Sequence, residues 1–115
     1  MQGLILTVMS CQSSMSPMKV NKSLPGFTES QFMTQIQADE KIQTNECTYL
    51  VKERSYEAPV GTTPRNELKR AAKGIDEWVQ IDGGNAYVLT SYKWVRVDKK
   101  GTTQLEVNFH TMNCN

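Results

Sequence analysis

Two cysteines, Cys47 and Cys114, bracket the only stretch of this 115-residue chain that carries sustained hydrophobic patterning. A bridge between them would close a loop around most of the patterned region. In the chain-entropy picture such a closure contributes about 4 kcal/mol. A core of this size buries a modest share of its surface and is marginal without such a staple. The third cysteine, Cys11, then needs a different explanation. It follows the short apolar run Leu6-Thr7-Val8-Met9-Ser10.

Gly3–Met9 has the length and apolar character of a minimal secretory h-region, though no Lys or Arg precedes it. Val8-Met9-Ser10-Cys11 resembles a bacterial lipobox: an aliphatic residue, a tolerant position, a small residue, then the cysteine that is acylated. The composition beyond Cys11 is rich in Ser, Met, Gln, Thr, Asn and Pro with no sustained period. The predicted organisation is a truncated or minimal lipoprotein signal at 1–10, a flexible, disordered tether at 11–34 beginning with lipidated Cys11, and a compact domain at 35–115. Gln12 resembles the residue that sends enterobacterial lipoproteins to the outer membrane. In the competing reading, Leu4–Val8 is a core strand or helical turn and Cys11 an ordinary thiol.

Within the domain, residues 34–43 alternate weakly around Ile36 and Ala38 and read as a short edge strand. Residues 47–54 read as a second strand, with Tyr49 and Val51 on one face and Thr48 and Leu50 on the other. Thr63-Pro64 then opens a helix, Thr63 as N-cap and Pro64 at N1. Leu68, Ala71, Ala72, Ile75, Trp78 and Val79 share one face at helical spacing, and Gly83-Gly84 stops it. Gly74 falls on the opposite face and is a candidate break. Residues 86–97 read as a strand, joined to a return strand through Gln104–His110 by a hairpin turn at Asp98-Lys99-Lys100-Gly101. Leu105, Val107 and Phe109 occupy one face of the return strand. The order is β-β-α-β-β, an α+β fold with a small mixed sheet and one main helix on one face. Cys114 has the parity of Glu106 and His110, the polar face. Either the strand ends near Thr111 and the chain turns back, or the bridge lies on the outer face; the former is expected.

A net charge of +1 with both signs interspersed gives no strong pull on nucleic acid. No apolar stretch approaches the roughly 20 residues that span a bilayer. His110, the only histidine, reads as a solvent-facing strand residue rather than a ligand paired with Cys114. Pairing it with Cys47 as a catalytic dyad has no support, and no CxxC or HxxxH spacing for a metal occurs. The adjacent acids Asp39-Glu40 and Asp76-Glu77 read as solvated surface. No catalytic residue, cofactor or small-molecule substrate is predicted. Arg65, Lys69 and Lys73 form a basic helix ridge that reads first as a solvated helix face and alternatively as a contact for a phosphate-rich surface such as lipid A or membrane headgroups. Tyr92 and Trp94 share one side of their strand, and either pack against the tether or the helix end or, if that face is open, mark a protein contact.

Cys47-Thr48-Tyr49-Leu50, Asn66-x-Leu68 with Ala72, Gly84-Asn85-Ala86-Tyr87-Val88 and a C-terminal cysteine together resemble a family of small, uncharacterised bacterial envelope lipoproteins. That family is similar in fold to the outer-membrane lipoprotein sensor of the Rcs phosphorelay. The resemblance spans residues 35–115. It implies a lipid anchor, a linker and a compact periplasmic α/β domain with Cys47 and Cys114 as the bridged pair. Val51 stands where the family pattern has glycine, and the helix is about ten residues longer than the pattern allows. The Rcs sensor also carries two disulfides, against cysteines for one here. The expected function is a non-enzymatic envelope lipoprotein, a protein-interaction or stress-sensing module held at the membrane by its anchor, with an envelope protein as possible partner. The alternative is a soluble ligand- or metal-binding domain with reduced cysteines.

Overall fold

The strongest helical pattern in the chain forms the longest helix of the computed structural model, which describes residues 20, 22–60 and 63–115. The elements are β1 (Gln31–Met33), α1 (Gln35–Gln43), β2 (Cys47–Glu57), α2 (Pro64–Ile81), β3 (Ala86–Arg96) and β4 (Thr103–Cys114), preceded by a 3-10 turn at Leu24–Gly26. Thr63 Oγ1 accepts the Asn66 N–H at 3.1 Å and Pro64 occupies the first turn, so α2 starts where its cap signals place it. Leu68, Ala71, Ala72, Ile75 and Val79 are all buried. At the far end Gly83 adopts φ +82°. Its N–H reaches Gln80 O at 3.1 Å, and the Gly84 N–H reaches Val79 O at 2.8 Å, the paired bonds of a Schellman cap.

The strands form one four-stranded sheet in the order β1-β3-β4-β2. β1 runs parallel to β3, and the other pairings are antiparallel. The β3–β4 turn is closed by Asp98, whose Oδ1 accepts the N–H groups of Lys100 at 2.9 Å and Thr102 at 3.0 Å. Gly101 supplies the positive φ of +90° that this turn needs. The α+β class, the mixed sheet and the single main helix on one face agree with the sequence. Among the described residues no helix is long and apolar enough to cross a membrane.

α2 covers one face of the sheet. Its apolar stripe meets Tyr87, Leu105, Val107 and Phe109, with Val20, Leu24 and Ala58 closing the same cluster. A second, smaller cluster of Met33, Ala38, Cys47, Ala86, Val88 and Met112 lies on the other face, under α1.

Residues 34–43, expected as an edge strand, are instead helical. Thr34 Oγ1 accepts the Gln37 N–H at 3.2 Å while Gln37 Oε1 accepts the Thr34 N–H at 3.0 Å, a complete capping box. Ala38 and Ile42, four apart, face the second cluster, and Ile36 is 73% exposed. The span expected as a tether also changes. Val20, Leu24 and Met33 are buried, and residues 31–33 form the parallel edge strand β1. Leu24 and Met33 have enough apolar surface to be held by the core despite their polar neighbours. Cys11 and the predicted signal at 1–10 lie outside the described residues.

Two further expectations are corrected. β4 continues to Cys114 rather than ending near Thr111, and Cys114 does lie on the face away from α2. That face is not polar there, because α1 covers it. Gly74 does not break α2 and does not face solvent. It is buried, and a Cβ built on it would fall 2.3 Å from the Tyr56 ring. The glycine lets a β2 aromatic lie directly against the helix backbone.

Gly74→Ala should therefore destabilise the domain despite alanine's helix propensity. Overpacking costs about 1–3 kcal/mol and the propensity gain returns about 1 kcal/mol, for a net loss of about 1 kcal/mol in urea unfolding. In a Tyr56→Ala background the same change should become stabilising. Stabilisation in both backgrounds would refute the contact.

Candidate functional site

Cys47 and Cys114 are directly opposite one another in the β2–β4 ladder and form a disulfide with Cα atoms 4.0 Å apart. The strand carrying Cys114 is held independently of that bond. Asn85 Oδ1 accepts the Cys114 N–H at 2.8 Å, and Asn85 Nδ2 donates to Cys114 O at 2.7 Å. The Asn85 N–H donates to Met112 O at 3.0 Å. Gly84 must be glycine for this approach, since a Cβ there would lie 2.3 Å from Met112 O. The bridge thus sits at one end of the sheet, which we call the bridge end. Both sulfurs are committed to it, so His110 has no Cys47 thiolate to activate in this form.

Three residues before Asn85, Asp82 joins three elements. Arg54 of β2 donates to both its oxygens, at 2.6 Å from Nη2 and 3.2 Å from Nε, and Thr111 of β4 donates at 2.7 Å. Arg54 also stacks over Trp78, 3.9 Å from the ring centroid. The Arg54 guanidinium and the Thr111 hydroxyl hold the Asp82 carboxyl below the usual carboxylate range, against the opposing effect of burial. Sequence reading missed this group. The available signal was an acid at a helix end immediately before Gly83.

Arg54 reaches this face because β2 is bulged. The register with β4 shifts between Tyr49 and Val51, and again between Val51 and Arg54. Glu53 takes φ +62°, unusual for a side-chain-bearing residue. The first shift breaks the alternation expected to place Tyr49 and Val51 together. At the second, the Glu53 N–H donates to His110 Nδ1 at 2.9 Å. Nδ1 is therefore the unprotonated nitrogen of a neutral ring. Tyr49 packs edge-on against that ring at 5.4 Å, with Lys52 4.7 Å over the tyrosine. Burial, and then the Lys52 charge, lower the His110 pKa, with Glu53 opposing.

At the opposite, hairpin end, Glu67 in the first turn of α2 is buried and accepts the Leu105 N–H at 3.1 Å. Burial pushes its carboxyl above the usual range. Leu105 is the β4 partner of Trp94, so the start of α2 lies level with Trp94. Tyr92 and Trp94 face α2 and are half-buried against the main core rather than standing on a free face. The Trp94 indole N–H is buried and meets no acceptor among the described residues. Of the basic ridge, Arg65 and Lys69 gather over Phe27 at 5.2 and 6.0 Å from its centroid, and Lys73 is exposed one turn on. Phe27 was unmarked in the sequence because it falls in the span read as tether. No three His, Cys, Asp or Glu side chains come together as a metal site among the described residues.

Reduction of the bridge should lower unfolding stability by about 4 kcal/mol, the closure entropy of the loop between Cys47 and Cys114. Urea titrations with and without reductant, and of Cys47→Ser/Cys114→Ser, measure it. Stability should also fall with pH below the ordinary imidazole value of 6.5, because the unfolded chain takes up the His110 proton before the folded one does. The slope ends once the folded ring is protonated. His110→Asn, which does not titrate, should flatten the profile across that window. An unchanged slope would assign it to other groups.

Compared with known proteins, the chain matches no family model, no curated protein and no solved structure.

Proposed function

We propose that this chain is a non-enzymatic lipoprotein of the bacterial cell envelope, acylated on Cys11, whose domain serves as a protein-interaction or stress-sensing module at the periplasmic side of the outer membrane. The observation that carries the reading is the Cys47–Cys114 bridge between directly opposed strand residues. Bonds of this kind persist in oxidising compartments such as the periplasm and are rare in the cytosol. With those two cysteines paired, Cys11 is left for a separate role, and it stands at the lipobox-like Val8-Met9-Ser10-Cys11. Support for a binding role comes from the surface: Arg65, Lys69 and Lys73 line an exposed helix ridge.

Intact mass of the protein isolated from its native cell tests this directly. The expected species has lost residues 1–10, carries a diacylglyceryl or triacyl group on Cys11, and lacks two hydrogens at the Cys47–Cys114 pair. A cytoplasmic species beginning at unmodified Met1 with three free thiols would overturn it.

A further inference from the structure

The two ends of the domain carry opposite charge. Asp39 and Glu40 of α1, with Glu46 after it, stand exposed at the bridge end, where Lys41 pairs with Glu46 at 3.4 Å. The hairpin end presents Arg65 and Lys69 from α2 and Arg96, Lys99 and Lys100 from the β3–β4 turn, all exposed. The Glu67–Leu105 bond and the Trp94–Leu105 pairing set the start of α2 level with Trp94, and the Arg96–Thr103 pair and the turn extend from there at the same end. Of the acids nearby, Glu57 at the end of β2 is exposed, and the other three are occupied. Asp98 is turned onto the amides of its own turn, Glu106 pairs with Lys93 at 3.3 Å, and Glu67 is buried. Among these cations Val97 is 45% exposed at the tip, an apolar side chain with basic neighbours.

The N-terminal path leads to this end as well. Phe27 lies against Arg65 and Lys69 near the start of α2, Ser30 bonds Asp76 further along it, and Gln31 donates to Asn85 O at the bridge end. Followed backwards, the chain comes from the hairpin end.

We propose that the hairpin end is a membrane-docking face for anionic phospholipid, with Val97 entering the headgroup layer and Arg65, Lys69, Arg96, Lys99 and Lys100 against the phosphates. This deepens the envelope reading and rests on it for its cellular setting. The acidic bridge end is repelled by the same surface, so the charge separation orients the domain as well as attracting it. Each cation close to such a surface contributes about a fivefold gain in partitioning.

The test uses the full chain with Cys11→Ser, which carries no acyl group, sedimented with vesicles of phosphatidylglycerol in phosphatidylcholine or of phosphatidylcholine alone. Binding is expected only to the anionic vesicles, and it should weaken as salt is added. Arg96→Ser, Lys99→Ser and Lys100→Ser should each lower partitioning about fivefold, and Val97→Asp should lower it further. Lys41→Ser and Lys52→Ser, matched losses at the bridge end, should leave it unchanged. Unfolding midpoints of each variant confirm that the fold is retained. Absence of binding, equal binding to both vesicles, equal loss from the bridge-end variants, or retention on duplex DNA in place of vesicles would overturn the proposal. Because the acyl group is absent, failure here is distinct from failure of the envelope reading, which appears as an unmodified Cys11 in the native mass.

Discussion

The corner formed by residues 82–85 against residues 111–114 sets the geometry of the whole domain. Within four residues the chain ends a helix, reverses, and starts a central-sheet strand. Three of the four touch the end of β4 and the fourth makes the reversal. Asp82 takes the Thr111 hydroxyl, Gly83 supplies the left-handed turn, Gly84 gives passage past Met112 O, and Asn85 clamps both backbone groups of Cys114. β4 pairs with both β3 and β2, so fixing its end fixes the register of both ladders. The disulfide adds a covalent link to a strand end whose position is already determined by hydrogen bonds. That order matters, because a cross-link contributes most when it does not force the native geometry.

Irregularities in the strands then decide which side chains meet α2. In β3 the residues Tyr87 and Leu89 have one parity, and Tyr92 and Trp94 the other. The register shift between Leu89 and Ser91 absorbs one residue and lets all four face the main core. In β2 the shift around Glu53 turns Arg54 towards Asp82 and leaves the Glu53 N–H on the outer face, where His110 accepts it. A one-residue slip reverses every side chain beyond it, so these bulges are what allows aromatic and charged groups of both parities to be used on one face.

Much of this was legible in the residues. α2 announced itself through Thr63, Pro64 and the Leu68–Val79 stripe, because cap and periodicity agreed. β4 did the same through Leu105, Val107 and Phe109. α1 was misread because its capping box, Thr34 with Gln37, lay beside a weak alternation of Ile36 and Ala38. Its end also lacked a glycine: Asn45 takes φ +64° and serves the same purpose. Residues 20–33 were read by their polar average, although single buried side chains such as Leu24 and Met33 suffice to hold a segment. Gly74 was assigned by helix parity alone. Its true surroundings depend on Tyr56, eighteen positions earlier, and a single-chain pattern carries no information about such a contact. The pairing of Cys47 with Cys114 was legible, while the face of the bridge was not, since that depended on α1.

The distribution of restraints along the long axis bears on function. At the bridge end a covalent bond, a two-pronged Asn85 clamp and the Arg54–Asp82–Thr111 group act together. At the hairpin end β2 stops at Glu57, and beyond it β4 is met by the Ala58 N–H on Leu105 O and by the Glu67 carboxylate on Leu105 N–H. The turn beyond is held by Asp98. Local opening of a fold starts where buried contacts are fewest, so the basic turn is the end that can adjust its shape without loss of the core. A surface that meets an irregular layer of phosphates benefits from such adjustment.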